Sequence, residues 1–461
     1  MNKHVLLAVF KRNLISYFSS PLGYVFICVF VLLSSVAAFC SPEFFNANLA
    51  NLDQLNFWLP AIMLVFIPAI TMSIWADERR QGTDELLLTI PATDQDIVVG
   101  KYLAALAIFA ISLVFSFVSN LIVLRALGNP DFGLFLSTYL GYFMVGMAML
   151  AVGMVASFLT GNLTVGFILG ALLNVPLVVI QYADVVIPRS DLAMKLKTWS
   201  IGENFSDFGR GVLSLSSLVF FVMIVVVMIY LSMVLIGRRH WQGGRDGHSM
   251  LGHFLIRTLA LAGIAAGGMY FMRNHDFLRI DLTSSQINSL SDDTEKILSK
   301  LKPQRTVHIE AFLSPSVPEA YVETRQDLIS LLNEIDHQGG DEIVVQIYDA
   351  VPFSETARRA EEEFGITRKT VRSKSRGNWI ESEILLGAVF RSGLDKVVVP
   401  FFDLGIPVEY ELVRSISTVI QPSRKRLGIV TTDAALFGSF GSPSQMIVDE
   451  LKKQYEVVEV D

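Results

Sequence analysis

Long apolar blocks dominate the first 272 residues, and short alternating or amphipathic stretches follow them. Seven blocks come close to the roughly 20 apolar residues that a helix needs to cross a bilayer. They lie near Leu22–Cys40, Phe57–Trp75, Tyr102–Leu124, Leu134–Leu159, Leu163–Ile180, Leu218–Ile236 and Phe254–Met272. Their interiors are almost free of charge; Arg257 sits near one end, where its stem can snorkel to the surface. Ahead of the first block, Leu6, Phe10, Leu14 and Tyr17 share one helical face that Arg12, Asn13 and Ser16 avoid. That pattern predicts either a loosely amphipathic interfacial helix or a plain extension of the first span.

Basic residues orient the blocks. Lys3, His4, Lys11 and Arg12 keep the N-terminus in the cytoplasm, and Ser41–Asn56 has no Lys or Arg and faces out. Arg79, Arg80 and Lys101 bring the next loop inside, and Arg238, Arg239, His240 and Arg245 mark another inner loop. Everything after Arg273 is then extracytoplasmic. Arg189, Lys195, Lys197 and Arg210 run against this order, but in a long loop they count weakly.

The second half reads as a different class of structure. Gln242–Ser249 (QGGRDGHS) is polar and glycine-rich, as a linker is. Beyond the seventh block, a helix opens at Asp292 and Glu295. Strands follow at Thr306–Phe312, Glu342–Tyr348, Ile384–Phe390 and Lys396–Phe401, with helices at Pro318–Asp336, Ser354–Gly365 and Val408–Ile420. Ser392-Gly393 marks a hairpin. The order βαβαββα is that of a thioredoxin-like fold. Residues 313–318 lack Cys-x-x-Cys, which excludes thiol redox chemistry. A second α/β unit opens with Leu427–Thr432, a helix near Ser444–Tyr455 and a strand at Val457–Val460, too little to complete a doubly wound sheet. The expected organisation is mixed: a six-span helical membrane domain at 1–241 and a cytoplasmic linker at 242–253. A seventh span at 254–272, an extracytoplasmic α/β domain at 273–423 and a second α/β unit at 424–461, expected to be cut short, complete it.

Composition narrows the function. The chain has 461 residues, 52% of them hydrophobic, and a net charge of -7, which gives no reason to expect nucleic acid. Its two cysteines, Cys28 and Cys40, fall in the first block, so neither a disulfide framework nor a zinc pattern is present. The N-terminus lacks the small-residue site of a cleavable leader. The spans lack the buried acids, bases and histidines that ion-coupled transport uses. They also offer no nucleophile or metal set for an intramembrane enzyme. No Walker A sequence occurs, so transport would need a separate ATPase. No catalytic residue, cofactor or metal is expected: His308 and His337 have no second ligand at metal spacing. Gly438–Gly441 reads as a turn or an anion cradle, and Arg368–Arg376 as a solvated loop or an anion-facing run. Gly166 with Gly170, and Gly263 with Gly267, have the spacing that admits close helix packing, within the chain or between two copies. Asn120, Asn174 and Gln181 read as interhelical hydrogen-bonding groups.

One loop stands apart, Ala76–Lys101 (ADERRQGTDELLLTIPATDQDIVVGK). After the charged cluster Asp77–Arg80 comes Gly82. Thr83 is then placed to cap a short helix, with Asp84 and Glu85 at its positive end. Leu86, Leu87 and Leu88 make an apolar knob, Pro91 stops the helix, and Thr93 with Asp96 reads as a capping box. Three leucines on a water-facing loop either dock a partner or lie on lipid headgroups or the bundle itself. The run from Glu78 through Gly82, Thr83, Glu85, Leu86, Leu87 and Pro91 to Gly100-Lys101 resembles the signature of type-2 ABC exporter permeases, close to the gliding-motility-associated branch. In that family this loop contacts a separately encoded ATPase. Pro407–Ile416 (PVEYELVRSI) and Ile384–Phe390 (ILLGAVF) resemble the auxiliary protein of gliding-type systems, here fused to the permease. Glu203–Val212 is similar to the family's outer segment before its last permease span. The resemblance implies export through paired permease modules on two ATPases, in an inner membrane. A passive membrane-anchored scaffold is the rival reading, and it has no use for such a loop.

Overall fold

The computed structural model describes residues 2–19, 21–41, 44–45, 50–83, 92–182, 196–197, 199–237, 245–274, 279–284, 289–291, 294, 296, 306–340, 342–375, 378–405, 407–420, 426–430, 436, 447–448, 451 and 456–460. The chain divides into two compact units, Met1–Gln286 and Ile287–Asp461.

The first unit is helical. In chain order it contains α1 (Lys3–Ser19), α2 (Pro21–Phe39), α3 (Asp53–Thr71), α4 (Ser73–Gln81), α5 (Asp94–Leu127), α6 (Phe132–Phe158) and α7 (Leu163–Val179). Helix α8 (Ile201–Gly209), strand β1 (Val212–Ser214), α9 (Leu215–Gly237), α10 (Arg245–Asn274) and β2 (Arg279–Asp281) follow. Among the described residues six helices are long and apolar enough to cross a membrane: Asp53–Gln81, Asp94–Leu127, Phe132–Phe158, Leu163–Tyr182, Leu215–Gly237 and Gly252–Met272. The pair Lys3–Ser19 and Gly23–Phe39, bent by 75°, passes the same test taken together. Helix α10 starts at Arg245, inside the stretch read as a linker; residues 238–244 lie outside the described set.

Helix α6 is the hub, and its glycines explain why. A Cβ on Gly146 would lie 2.2 Å from the Phe109 ring of α5, and one on Gly153 would lie 2.4 Å from Thr71 of α3. One on Gly141 would lie 2.5 Å from Phe208 of α8. Three neighbours thus reach the α6 backbone where no side chain intervenes. Gly170 packs on Pro68 within the chain, whereas a Cβ on Gly263 or Gly267 would meet nothing within 4 Å among the described residues. Of the expected polar contacts, Asn120 accepts from Ser35 at 2.7 Å and donates to Tyr139 at 2.9 Å, joining α2, α5 and α6. Asn174 donates to Gly170 of its own helix and, at 3.4 Å, to Met149 of α6.

The second unit holds β3 (Val307–Leu313), α11 (Glu319–Gly339), β4 (Ile343–Asp349), α12 (Glu355–Phe364), β5 (Lys369–Ser375) and β6 (Asn378–Ile384). Then come β7 (Leu386–Ser392), β8 (Asp395–Val399), α13 (Val408–Ile420), β9 (Arg426–Val430) and β10 (Glu456–Val460). The main sheet has the order β4-β3-β7-β8; β3 and β4 are parallel, and β7 is antiparallel to both β3 and β8. Alternation along β3 sorts the core. Ile309, Ala311 and Leu313 join Leu328 and Leu332 of α11 and Leu412 and Ile416 of α13, while Phe312 joins Ala357, Ala360 and Phe364 of α12 on the other face.

The run Arg368–Arg376 is not a loop through most of its length. Lys369–Ser375 is strand β5, paired antiparallel with β6 in a register that sets Arg372 opposite Glu381. The hairpin has little apolar alternation to announce it in the sequence. Strands β9 and β10 pair in parallel. Gly438–Gly441, most of the helix expected at 292–301 and most of that expected at 444–455 lie outside the described residues.

Candidate functional site

The site grows from a break in a helix. Pro68 near the end of α3 and the bend at Met72 interrupt the backbone ladder before α4 resumes. The freed groups find side-chain partners. Tyr17 of α1 donates to the Ile70 carbonyl at 3.0 Å, and Ser157 of α6 donates to the Met72 carbonyl at 3.0 Å. Ser157 Oγ also accepts from the Trp75 and Ala76 amides at 3.1 and 3.3 Å. The Ile74 carbonyl accepts from Lys101 Nζ at 2.7 Å. The junction of α3 and α4 is therefore held by three elements that are distant in sequence, and each of them uses a polar side chain.

The charged residues Asp77–Arg80, read as part of a loop, continue α4 as helix to Gln81. Gly82 ends it in the left-handed conformation, φ 69°, where glycine costs nothing. Glu78 points back to the bundle. Its Oε1 accepts from Arg12 Nη2 at 2.5 Å, and its Oε2 lies 2.7 Å from Lys101 Nζ as a charge contact without hydrogen-bond alignment. Lys101 is 1% exposed, Glu78 16% and Arg12 53%, so the cluster grades from interior to solvent. The Lys101 ammonium also lies 4.4 Å from the Trp75 ring centre, within cation–π range. Arg79 lies over Phe158 at 4.6 Å.

A second tie closes the same end. Thr93 and Asp96 form the expected capping box at the start of α5. Asp96 Oδ1 also accepts from the Asn2 amide at 2.9 Å, so one carboxylate anchors the starts of α1 and α5. Gly100 faces α1: a Cβ there would lie 3.0 Å from Val9 and 3.1 Å from the Leu6 carbonyl.

Of the nine positions singled out in sequence, the structure gathers Glu78, Gly82, Thr83, Gly100 and Lys101 around α1, α4 and α5. Thr83 Oγ1 donates to the Glu78 carbonyl at 3.4 Å. Glu85, Leu86, Leu87 and Pro91 lie outside the described residues. Two expectations change. Lys101 is not a loop cation but a buried residue of α5, so the span region does contain a buried base, two turns inside a helix end. The face of α1 that packs inward centres on Val9, its one buried residue, with Leu14 and Tyr17 beside it. Arg12 was read as a topology marker and as lying off the apolar face of its helix. Its place opposite Glu78 was legible only as opposite charges in two segments 66 residues apart. Among the described residues no group of three His, Cys, Asp or Glu side chains is placed to hold a metal.

Residues 24–236 match the family model described as ABC-2 family transporter protein. Residues 284–391 match a domain of unknown function, DUF7088. No curated protein matches the chain. The first match supports an ABC-2 type permease: the transmembrane subunit of an ABC transporter, of a family that works with an ATPase subunit.

Proposed function

We propose that the chain is the membrane subunit of an ATP-driven exporter, and that a separate ATPase docks on the loop around Glu85, Leu86, Leu87 and Pro91. ATP-driven closure pushes the loop. Helix α4 carries the displacement, and Glu78 passes it to Lys101 in α5 and Arg12 in α1. The observation that carries this reading is the buried Lys101–Glu78 contact at the root of the loop, extended to Arg12. A passive anchor has no reason to bury a lysine there, since desolvating an ammonium costs several kcal/mol even after relaxation, of the order given for buried ions. Two such chains on two ATPases would make the working transporter in an inner membrane, with the N-terminus cytoplasmic.

Contacts within the first unit support seven crossings. Asn2 meets Asp96 at one end of α5, and Ala50 packs on Gly128 at the other, so α2 has travelled the length of α5 in between. Strands β1 and β2 pair, with neighbouring helices α9 and α10 between them in sequence. If α9 crosses, α10 must cross back, and the chain beyond β2 is then extracytoplasmic. The strand order β4-β3-β7-β8 supports a thioredoxin-like reading of that outer module. Helix α13, built from the PVEYELVRSI stretch, supports its likeness to the gliding-type auxiliary protein.

The test is direct. Leu86→Asp with Leu87→Asp should abolish co-purification of the ATPase while the chain stays in the membrane. Unchanged association would remove the loop from the mechanism.

A further inference from the structure

Glu78 lies near one end of the span Asp53–Gln81. At the other end, where α3 starts, the membrane unit holds a cavity of about 570 Å³, a volume in the range of small-molecule sites. Its walls come from α3, α6, the turn that follows α7, and α8. The deep wall is apolar: Leu59, Val145 and Ile201 are buried, and Phe205 of α8 stacks on Tyr142 of α6 with ring centres 5.5 Å apart. Polar groups stand nearer the mouth. Asn56 accepts from the Tyr142 hydroxyl at 2.7 Å, which leaves its amide nitrogen beside Gly209 of α8. The charged lining residues are balanced in sign, Lys197 and Arg210 against Asp53 and Glu203. Phe57 and Tyr182, both exposed, also line the cavity, and Trp58, exposed as well, adjoins Phe57 in sequence. Aromatic residues of this kind collect at the level of lipid headgroups.

The gap is held open by its walls. An unfilled apolar space forfeits contacts on every side, so a helix free to shift would close it. Helix α8 is not free. A Cβ on Gly141 of α6 would lie 2.5 Å from Phe208 and 2.8 Å from the Phe205 ring, so α8 already touches the α6 backbone. A Cβ on Gly202 would lie 2.0 Å from the Gln181 side-chain oxygen, which fixes α8 against the turn after α7. Asp207 pins the end of the helix: it accepts from Ser214 at 2.7 Å and Arg210 at 3.0 Å, with Arg279 at 3.5 Å. The space between α3 and α8 is therefore built into the unit, apolar within and charged with both signs at its edge.

We propose that this cavity seats an acyl chain of a zwitterionic membrane phospholipid, whose phosphate meets Lys197 and Arg210 and whose ammonium meets Asp53 and Glu203. A purely anionic or cationic head would match one pair of charges and be opposed by the other. In a chain with Cys28→Ser and Cys40→Ser, Ser206→Cys puts a thiol on the cavity wall. In lipid-depleted detergent, phosphatidylethanolamine should slow its alkylation by N-ethylmaleimide about tenfold, and phosphatidylglycerol by less than about twofold. Gln81→Cys, exposed at the far end of the span, should react at the same rate with either lipid. Phosphatidylethanolamine carrying a diazirine in mid-chain should leave photo-adducts on Phe57–Pro60 and Ile201–Phe205. Lys197→Gln with Glu203→Gln should cut those adducts about tenfold and spare adducts on Val118 and Ile122, which are exposed on α5. Absence of protection, equal protection by both lipids, or adducts confined to exposed faces such as that of α5 would overturn the proposal. No ATPase enters either measurement, so a chain that recruits none would refute the transport reading and leave this result intact.

Discussion

Lys101 is the residue on which the inner site turns. Among the described residues its ammonium meets the Glu78 carboxylate, the Ile74 carbonyl and the Trp75 ring, and the side chain is 1% exposed. Truncating the two partners should therefore have unequal effects. Glu78→Ala strands a buried cation and should cost about 3–5 kcal/mol. Lys101→Met removes the charge, keeps most of the volume and leaves Glu78 with Arg12, so it should cost less than about 1.5 kcal/mol. Unfolding midpoints in detergent would measure both, and the reverse ranking would refute the burial argument. Part of this was legible early: Glu78, Gly100 and Lys101 stood out by their resemblance to the type-2 ABC exporter permease signature. Their meeting did not, because the capping box at Thr93 and Asp96 sets where α5 starts but not which distant helices, α1 and α4, pack against Lys101. Asp131 gives a second residue-scale test. Burial opposes its charge, but hydrogen bonds from Ser284, Leu134 and Gly133 outweigh that and hold the carboxyl below the usual aspartate range. A depressed carboxylate stabilises fully above the unfolded value of about 3.9 and loses that contribution as pH falls through the lower folded value. Exchange at the Ser284 amide, corrected for its intrinsic rate, should therefore accelerate only below about pH 4. Asp131→Asn keeps an N-cap acceptor and should flatten that dependence.

At the scale of elements, α6 shows what periodicity can and cannot disclose. Its apolar length was plain in the sequence. Its importance was not, since Gly141, Gly146 and Gly153 do not fall at the small-x3-small spacing that drew notice to Gly166, Gly170, Gly263 and Gly267. The spacing differs because each glycine serves a different neighbour: α8, α5 and α3. Gly146→Ala should drive a methyl into the Phe109 ring and cost about 1–3 kcal/mol. Phe109→Leu should recover part of that in the double variant, and strict additivity of the two losses would contradict the contact. The capping box at Thr93 and Asp96 was readable because its chemistry is local. The helix through Asp77–Arg80 and the hairpin β5–β6 were not. Charge there masks the apolar period, and the stabilising partners, Arg12 for one and the opposite strand for the other, lie elsewhere in the chain.

At the scale of the molecule, the two units obey different rules. The first satisfies its backbone inside helices, as a lipid environment demands. The second is a sheet with helices on both faces, built for water. Both were visible as classes from the change in apolar block length, but the boundary was not. It falls at Gln286, past α10, where residues 279–281 pair with β1 rather than with the sheet that follows. The proposed seven crossings would put that sheet on the opposite side of the membrane from the α4–α5 loop, and two exposed positions can test it. Leu394 at the β7–β8 turn is 97% exposed, and Gln81 at the end of α4 is also exposed. In the cysteine-free background, Leu394→Cys should react with a membrane-impermeant maleimide in intact spheroplasts. Gln81→Cys should react only after permeabilisation. Reaction of both before permeabilisation, or of neither, would place the loop and the sheet on one side. An ATPase driving the loop from the cytoplasm could not then coexist with an outer module, and the crossing of α10 would have to be given up.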